Sequence, residues 1–283
     1  MPHSQKKSFF RTIDKLLERI PLLGKILTSF FGLQEWVMLE LTRIIEKKFK
    51  INATVALIRY ILKDRWGGKV IPLNKTIGSD VRFLSSQEII EILSRSNVTG
   101  VSNCYCRETQ RRHNIPNCTH PIRTCIHIGT GKSLYDIPFK SHNLKKVSKQ
   151  EVIGLLEKCD KEGLVHQLIY YPNPNFYYVV CNCCPCCCII LSNFLKHGSP
   201  QMIESDFVAY TEVQKCLNCG KCADWCYFGA RIYSNNHLDF KSEYCFGCGV
   251  CVTKCPQKAI SLRLKNSLYT NRSHSWNCVK LNR

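Results

Sequence analysis

Two stretches of this chain carry the same cysteine spacing, and every cysteine of the first recurs 29 residues later in the second. They read Cys216-x2-Cys219-x2-Cys222-x3-Cys226 and Cys245-x2-Cys248-x2-Cys251-x3-Cys255, with Pro256 after the second. Gly220 and Gly249 match under the same offset, as do Ala230 and Ala259. An internal repeat carrying all of its thiols implies a duplicated unit built around bound groups.

The spacing selects the group. Zinc closes with four ligands given as two separated pairs, and three cysteines at x2 spacing plus a fourth overfill it. A cubane of four irons wants one thiolate per iron. Three come from a tight loop, and the fourth comes from the other repeat. Cys216, Cys219, Cys222 and Cys255 are therefore expected on one [4Fe–4S] cluster. Cys245, Cys248, Cys251 and Cys226 are expected on a second.

Cysteine use elsewhere supports metal over disulfides. Of 283 residues 20 are cysteine, and 19 of them fall between Cys104 and Cys255. The start, Met1-Pro-His-Ser-Gln-Lys-Lys, has no signal-peptide pattern, so the expected compartment is the reducing cytoplasm. The adjacent Cys186, Cys187 and Cys188 are also poorly placed for separate disulfide partners. No apolar run reaches the ~18–20 residues of a membrane-spanning helix.

Residues 212–264 resemble a bacterial-type 2[4Fe–4S] ferredoxin. The resemblance implies a pseudo-twofold βαββαβ-like unit whose two clusters lie close enough to exchange electrons. One departure is visible: the second repeat has Cys255-Pro256, whereas the first has Cys226-Tyr227.

A second cysteine group lies upstream: Cys104, Cys106, Cys118, Cys125, Cys181, Cys183, Cys184, Cys186, Cys187 and Cys188, with His113, His120 and His127 among them. Neighbouring cysteines in an extended segment point to opposite faces, so one group cannot easily take all six of the last run. A turn at Pro185 would bring Cys183 or Cys184 to Cys187 or Cys188, with Cys104 and Cys106 approaching from the other side as an i, i+2 pair. The candidate ligands of an additional iron–sulfur cluster, or of zinc, are Cys104, Cys106, Cys118, Cys125, Cys181, Cys183, Cys184, Cys187 and Cys188. Arg107 is expected either to hydrogen-bond a cluster or to pair with a carboxylate. Cys159 and Cys278 read as structural. This block resembles an uncharacterised group of ferredoxin-like proteins of anaerobes. The likeness rests on Cys104, Cys106, Arg107, Cys118, Thr124, Cys125, Cys181, Cys183, Cys184 and the stretch from Gly68 to Thr76. It implies an anaerobic context and no named reaction.

The fold class expected is α+β, in three regions. Residues 1–66 form a basic amphipathic helical region, 67–200 a cysteine-rich metal-binding module with a helix and a hairpin, and 201–283 the ferredoxin-like domain. Residues 8–50 show helical periodicity broken at Pro21 and Gly24. Gly67-Gly68 ends that region, and Lys69–Asn74 reads as an edge strand because Pro72 cannot donate to a ladder. Capping boxes at Ser85–Glu88 and Ser148–Glu151 open helices, the second running to about Gly163. Runs at 164–171 and 176–180 flank Pro172-Asn-Pro-Asn175 as a hairpin.

The formal charge is +19, and residues 1–75 hold 15 Lys and Arg against 6 Asp and Glu. Such a surface suits an acidic partner, an anionic membrane surface or nucleic acid. The helix and hairpin suggest a winged helix, but no base-reading motif accompanies them, which disfavours DNA. The expected function is a relay of single electrons through two clusters, and a further one upstream, to or from a partner oxidoreductase. Its rival is a redox enzyme with an open-site cluster upstream and Tyr105, Arg107, His120 and His127 lining a pocket. No nucleotide signature supports the rival: Gly131-Lys132-Ser133 approaches a P-loop, but Ile126 stands where its first glycine belongs.

Overall fold

The computed structural model describes residues 65–73, 98–112, 118–129, 143–170, 177–198 and 201–265, with helical positions at Leu22, Val37, Glu40, Leu41 and Ile44. Most of the amphipathic N-terminal region lies outside the described residues. So do the Ser85 capping box, Gly131–Ser133, the 172–175 turn, His113 and Cys278.

The fold is α+β. A seven-stranded sheet forms from β1 (Gly67–Val70), β2 (Val98–Asn103), β3 (Arg123–Gly129), β4 (Lys145–Lys146), β5 (Val165–Tyr170), β6 (Tyr177–Cys183) and β7 (Met202–Ile203). Their order is β4-β2-β3-β6-β5-β1-β7, antiparallel throughout except for the parallel β1–β7 pair. Among the described residues three helices accompany it: α1 (Tyr105–Arg112), α2 (Lys149–Lys161) and α3 (Ile189–His197).

Strand periodicity of two sorts the side chains between faces. Ile126, Ile128, Leu168 and Val180 join Val152 and Leu156 of α2 in one core. The alternate positions Cys125, Val165, Ile169, Val179 and Cys183 join Ile189, Ile190, Leu191 and Phe194 of α3 in another. β5 is buried along its whole length, because both faces are covered.

α2 begins at the expected capping box. Ser148 accepts from the Glu151 amide, and the Glu151 carboxylate accepts from the Ser148 amide at 2.7 Å. The helix stops at Lys161, short of Gly163, whose φ of +74° turns the chain into β5. The hairpin forms, but its strands are interior to the sheet rather than an exposed wing, so the winged-helix resemblance fails. Two further expectations are corrected. The strand expected at Lys69–Asn74 runs from Gly67 to Val70, ending before Pro72, and it is not an edge, because β5 and β7 flank it.

Residues 207–265 form the second unit. β8 (Phe207–Thr211) pairs antiparallel with β11 (Ile260–Leu264), and β9 (Arg231–Ser234) with β10 (His237–Phe240). Short helices α4 (Lys221–Asp224) and α5 (Val250–Thr253) stand at equivalent places in the repeat. Each follows a glycine at positive φ, Gly220 at +74° and Gly249 at +82°. Met202 and Ile203 pair with β1, so they belong to the larger sheet.

The two units share a core. Phe194 of α3 meets the stacked rings of Phe228 and Phe246, whose centroids are 4.3 Å apart. At the C-terminal end of α2, the Tyr227 hydroxyl donates to Gly163 O at 2.9 Å. There Lys254 also donates to Lys161 O at 2.6 Å and sits 3.8 Å from the Trp225 ring centroid.

Candidate metal centres

In the repeat unit the loops carry the first two thiols of each set, α4 and α5 carry Cys222 and Cys251, and the turns after them carry Cys226 and Cys255. Cys226 lies within electrostatic reach of Cys245, Cys248 and Cys251, and Cys222 within reach of Cys216. Backbone N–H groups aim at the sulfurs: Arg231 N at Cys226 (3.3 Å), Ala259 N at Cys255 (3.3 Å) and Ala209 N at Cys245 (3.4 Å). Such donors stabilise thiolate. Burial pushes the Cys251 thiol up to about 12 and raises Cys222, Cys226 and Cys248. The buried Arg231 lies between the sets, with Nη1 3.9 Å from Cys222 Sγ and a hydrogen bond to Cys251. Burial alone would lower its pKa, but the sulfurs of Cys251 and Cys222 outweigh that and raise it.

These eight thiols do not hydrogen-bond to one another, and no three converge on the coordination sphere of a single ion. Thiols that each hold a separate corner of a cube must stand apart in this way. The donor set, its spacing and the amides aimed at it fit iron–sulfur clusters.

The upstream thiols are arranged differently, and they divide into two sets. Cys104, Cys106, Cys188, Cys183, Cys181 and Cys125 form a closed ring of thiol–thiol hydrogen bonds, each touching the next and Cys125 returning to Cys104. Strand register builds one side. One step beyond the Ile126–Val180 pair, Cys125 faces Cys181 with sulfurs 3.9 Å apart, and Cys183 follows on the same face. Cys188 caps α3 and accepts from Leu191 N. Cys104 and Cys106 reach the ring from the start of α1, so the extended i, i+2 pair expected there is a helical turn instead.

The second set is Cys118, Cys184, Cys186 and Cys187, whose sulfurs all lie within 4.8 Å of one another. Cys186 had no place among the sequence-derived candidates. Its signal was present in the six-cysteine run, but which of those thiols turn to which side depends on the turn at Pro185. Across that turn, where the sequence left the pairing open, Cys183 meets Cys188 in the ring and Cys184 meets Cys187 in the four-thiol set. Cys159 is wholly buried beside the four-thiol set, and burial pushes it up to about 12.

Arg107 lies between these sets and is 0% exposed. Its Nε donates to Cys184 Sγ at 3.4 Å, Nη1 to Thr124 Oγ1 and Pro121 O at 2.6 and 2.8 Å, and Nη2 to Asn182 O at 2.6 Å. No carboxylate among the described residues pairs with it. Burial alone would lower its pKa, but the sulfurs of Cys104 and Cys184 raise it. In turn Cys184 is held well below the ordinary thiol range, first because Cys186 and Cys187 donate to it and then because of Arg107. Asn182 extends the network: its side-chain amide donates to Thr124 O, and its Oδ1 meets His166 Nδ1 at 2.6 Å.

Three of the four side chains named for an enzyme pocket have protein partners, and the Nδ1 of the fourth, His120, is buried without one among the described residues. Arg107 is bonded to protein groups, Tyr105 donates to the Glu40 carboxylate, and His127 bonds Ser102 at 2.8 Å.

Comparison with known proteins defines the class. Residues 215–260 match the family described as 4Fe-4S dicluster domain. Pyruvate synthase subunit PorD of Methanothermobacter marburgensis is 36% identical over 56 residues, 20% of this chain and 65% of that protein. An uncharacterized ferredoxin of Methanocaldococcus jannaschii is 33% identical over 55 residues, 18% of this chain and 71% of that protein. A subunit of the ion-translocating oxidoreductase complex of Methanosarcina acetivorans is 44% identical over 48 residues, 17% of this chain and 18% of that protein. The chain thus spans less than two thirds of the first and third of these relatives. No solved structure matches it. Through residues 215–260 the chain belongs to the 4Fe–4S ferredoxins, and this part is an iron–sulfur electron-transfer domain. Among the described residues no helix is long and apolar enough to cross a membrane.

Proposed function

We propose that this chain relays single electrons between a partner oxidoreductase and an upstream iron–sulfur centre, through two [4Fe–4S] clusters in its ferredoxin domain. Cys216, Cys219, Cys222 and Cys255 would hold the first cluster, and Cys245, Cys248, Cys251 and Cys226 the second. The closeness of Cys226 to the second set supports the exchange of ligands between repeats. Each cluster, when bound, supplies a site that takes up and gives back one electron. No bond is made or broken, and each electron accepted at one end leaves at the other.

The observation that carries this reading is the opposite setting of the two repeats. Cys219 of the first is exposed, flanked by the apolar Val213 (78% exposed) and Leu217 (68% exposed), with Lys215 and Lys221 beside them. That edge suits a partner with an apolar patch and an acidic rim. Cys248 of the second repeat packs in the same core as all six ring thiols. The ring is the candidate third centre. Its thiols touch in sequence rather than all together, so they encircle more than one ion's coordination sphere. The relatives' names speak of subunits of oxidoreductase complexes, which supports an oxidoreductase as partner. The reading places the protein in an anaerobic cytoplasm, with residues 1–66 as a further basic docking element.

The test is iron and acid-labile sulfide per chain after anaerobic purification. The repeats alone give about eight of each, and the ring adds to that number. Cys106→Ser should remove only the excess and leave the ferredoxin EPR signals. Far fewer than eight irons in protein kept from air would sink the relay. A count of eight that Cys106→Ser does not change would remove its upstream end.

A further inference from the structure

The two upstream thiol sets share no sulfur, and their geometry asks for different occupants. We propose that Cys118, Cys184, Cys186 and Cys187 bind a single zinc ion as a closed tetrathiolate site, separate from any iron–sulfur centre. The sulfurs of Cys118 and Cys184 are 3.9 Å apart, those of Cys186 and Cys187 are 3.7 Å apart, and all four are mutually within 4.8 Å. Four sulfurs at the zinc–thiolate distance of about 2.3 Å stand about 3.8 Å from each other in a tetrahedron. A cubane would force them wider, since each sulfur then sits on its own iron at a different corner. No three of the eight ferredoxin thiols gather in this way, and among the described residues only this upstream quartet converges so closely.

The chain delivers the ligands as closed zinc sites do. Three come from the turn at Cys184-Pro-Cys186-Cys187, and the fourth is brought by Cys118 from 66 positions away. Cys184 and Cys187 are buried against Cys159 and Leu164, with Leu155 beside them. Four thiolates fill the tetrahedron and leave no position of the kind a catalytic zinc keeps for water or substrate. Four thiolates on a divalent ion leave a net charge of −2, and the buried Arg107 guanidinium donating to Cys184 compensates part of it. The ion would act as a clip. It fixes the 118–122 segment, which leads into β3, to the turn that leads out of β6. That junction sets Cys125 opposite Cys181 and Cys183 in the ring.

The inference does not rest on the relay, because zinc and iron are counted separately. The experiment is elemental analysis with zinc-edge X-ray absorption on the full chain, purified anaerobically from zinc-supplemented cells. The expected result is about one zinc per chain, with four sulfur neighbours at about 2.3 Å and no iron neighbour. Cys186→Ser, at a half-buried position, should lose most of that zinc while iron and labile sulfide stay unchanged. Full zinc retention in Cys186→Ser would overturn the assignment. So would wild-type protein without zinc, or with one iron in excess of labile sulfide that this variant removes. If Cys186→Ser does not fold, the wild-type absorption spectrum decides alone, and nitrogen or oxygen neighbours in it would overturn the four-thiolate site. A relay failure would instead appear as missing iron with zinc intact.

Discussion

The ferredoxin unit and the module before it both gather cysteines around a buried arginine, yet they do so by different means. In the ferredoxin unit the thiols stand apart, recur at a fixed offset and receive backbone N–H groups. In the upstream module they touch one another, recur nowhere and are brought together by sheet register and a single turn. Arg231 lies between the two ferredoxin sets, and Arg107 between the ring and the four-thiol set. The difference is in what each cation rests on. Arg231 reaches Thr211 at 3.0 Å and lies 4.8 Å from the Phe240 ring centroid. Arg107 is bonded to Thr124, Pro121, Asn182 and Cys184, so it also ties β3, β6 and α1 together.

Removing each arginine should therefore break different things. Arg107→Met leaves three buried oxygen acceptors unpaired and two sulfur sets without their cation, a loss of about 3–5 kcal/mol. Thermal unfolding should show this as the largest destabilisation of any single substitution proposed for the chain. Metal analysis should show upstream metal lost while about eight irons remain. Arg107→Lys should rescue it only partly, since an ammonium cannot supply the planar fork. Loss of the ferredoxin EPR signals in the same variant would mean that the two regions are one cooperative centre, and the comparison would fail. Arg231→Met should leave metal content intact and lower the cluster potentials, because a nearby cation favours the more negative reduced state. At an effective dielectric of about 20, a charge ~8 Å away is worth about 2 kcal/mol, hence a shift on the order of 50–100 mV by redox titration.

The seam between the regions is the next place to press. Gly163 has φ +74°, and a Cβ there would run into the six-membered ring of Trp225. Gly163→Ala adds left-handed strain of about 1–2 kcal/mol to that clash, and denaturant unfolding should show at least that loss. The loss should fall in the contact between units, exposing Trp225 to fluorescence quenchers while iron content holds. Tyr227→Phe should cost less, about 1 kcal/mol for one hydrogen bond. Tyr227 stands where the second repeat has Pro256, and its hydroxyl on Gly163 O accounts for that departure.

How much of the molecule is legible in its sequence follows from the same contrast. Three of the four ligands expected for each ferredoxin cluster lie within seven residues, so spacing alone brings those three to one place. The capping box at Ser148 is legible for the same reason, its partners being three residues apart. Cys125 and Cys181 meet only because β3 lies beside β6, a neighbourhood fixed by the packing of seven strands. The helix at Tyr105–Arg112 leaves no such mark, because its sequence, YCRETQRR, has almost no apolar stripe; ring contacts and the buried Arg107 hold it instead. Pro72 misleads in the other direction: it breaks a ladder only from inside a strand, and β1 ends at Val70.

The smallest effect tests whether the upstream module depends on local structure as little as this contrast implies. Ser148→Ala removes the cap of α2 and should cost about 1 kcal/mol. The Glu151 carboxylate is held below its ordinary range, first by the Ser148 amide and then by the Ser148 hydroxyl. A depressed folded pKa contributes stability that is present above the unfolded value, about 4.3, and is lost as pH falls through the folded one. Wild type should therefore lose this increment on acidification below about pH 4, and Ser148→Ala should show less of that acid dependence. α2 covers the sheet face opposite the ring, so iron content should not change in this variant. If it does, the ring owes its assembly to the helix behind the sheet, and the register of β3 against β6 is not sufficient to hold it.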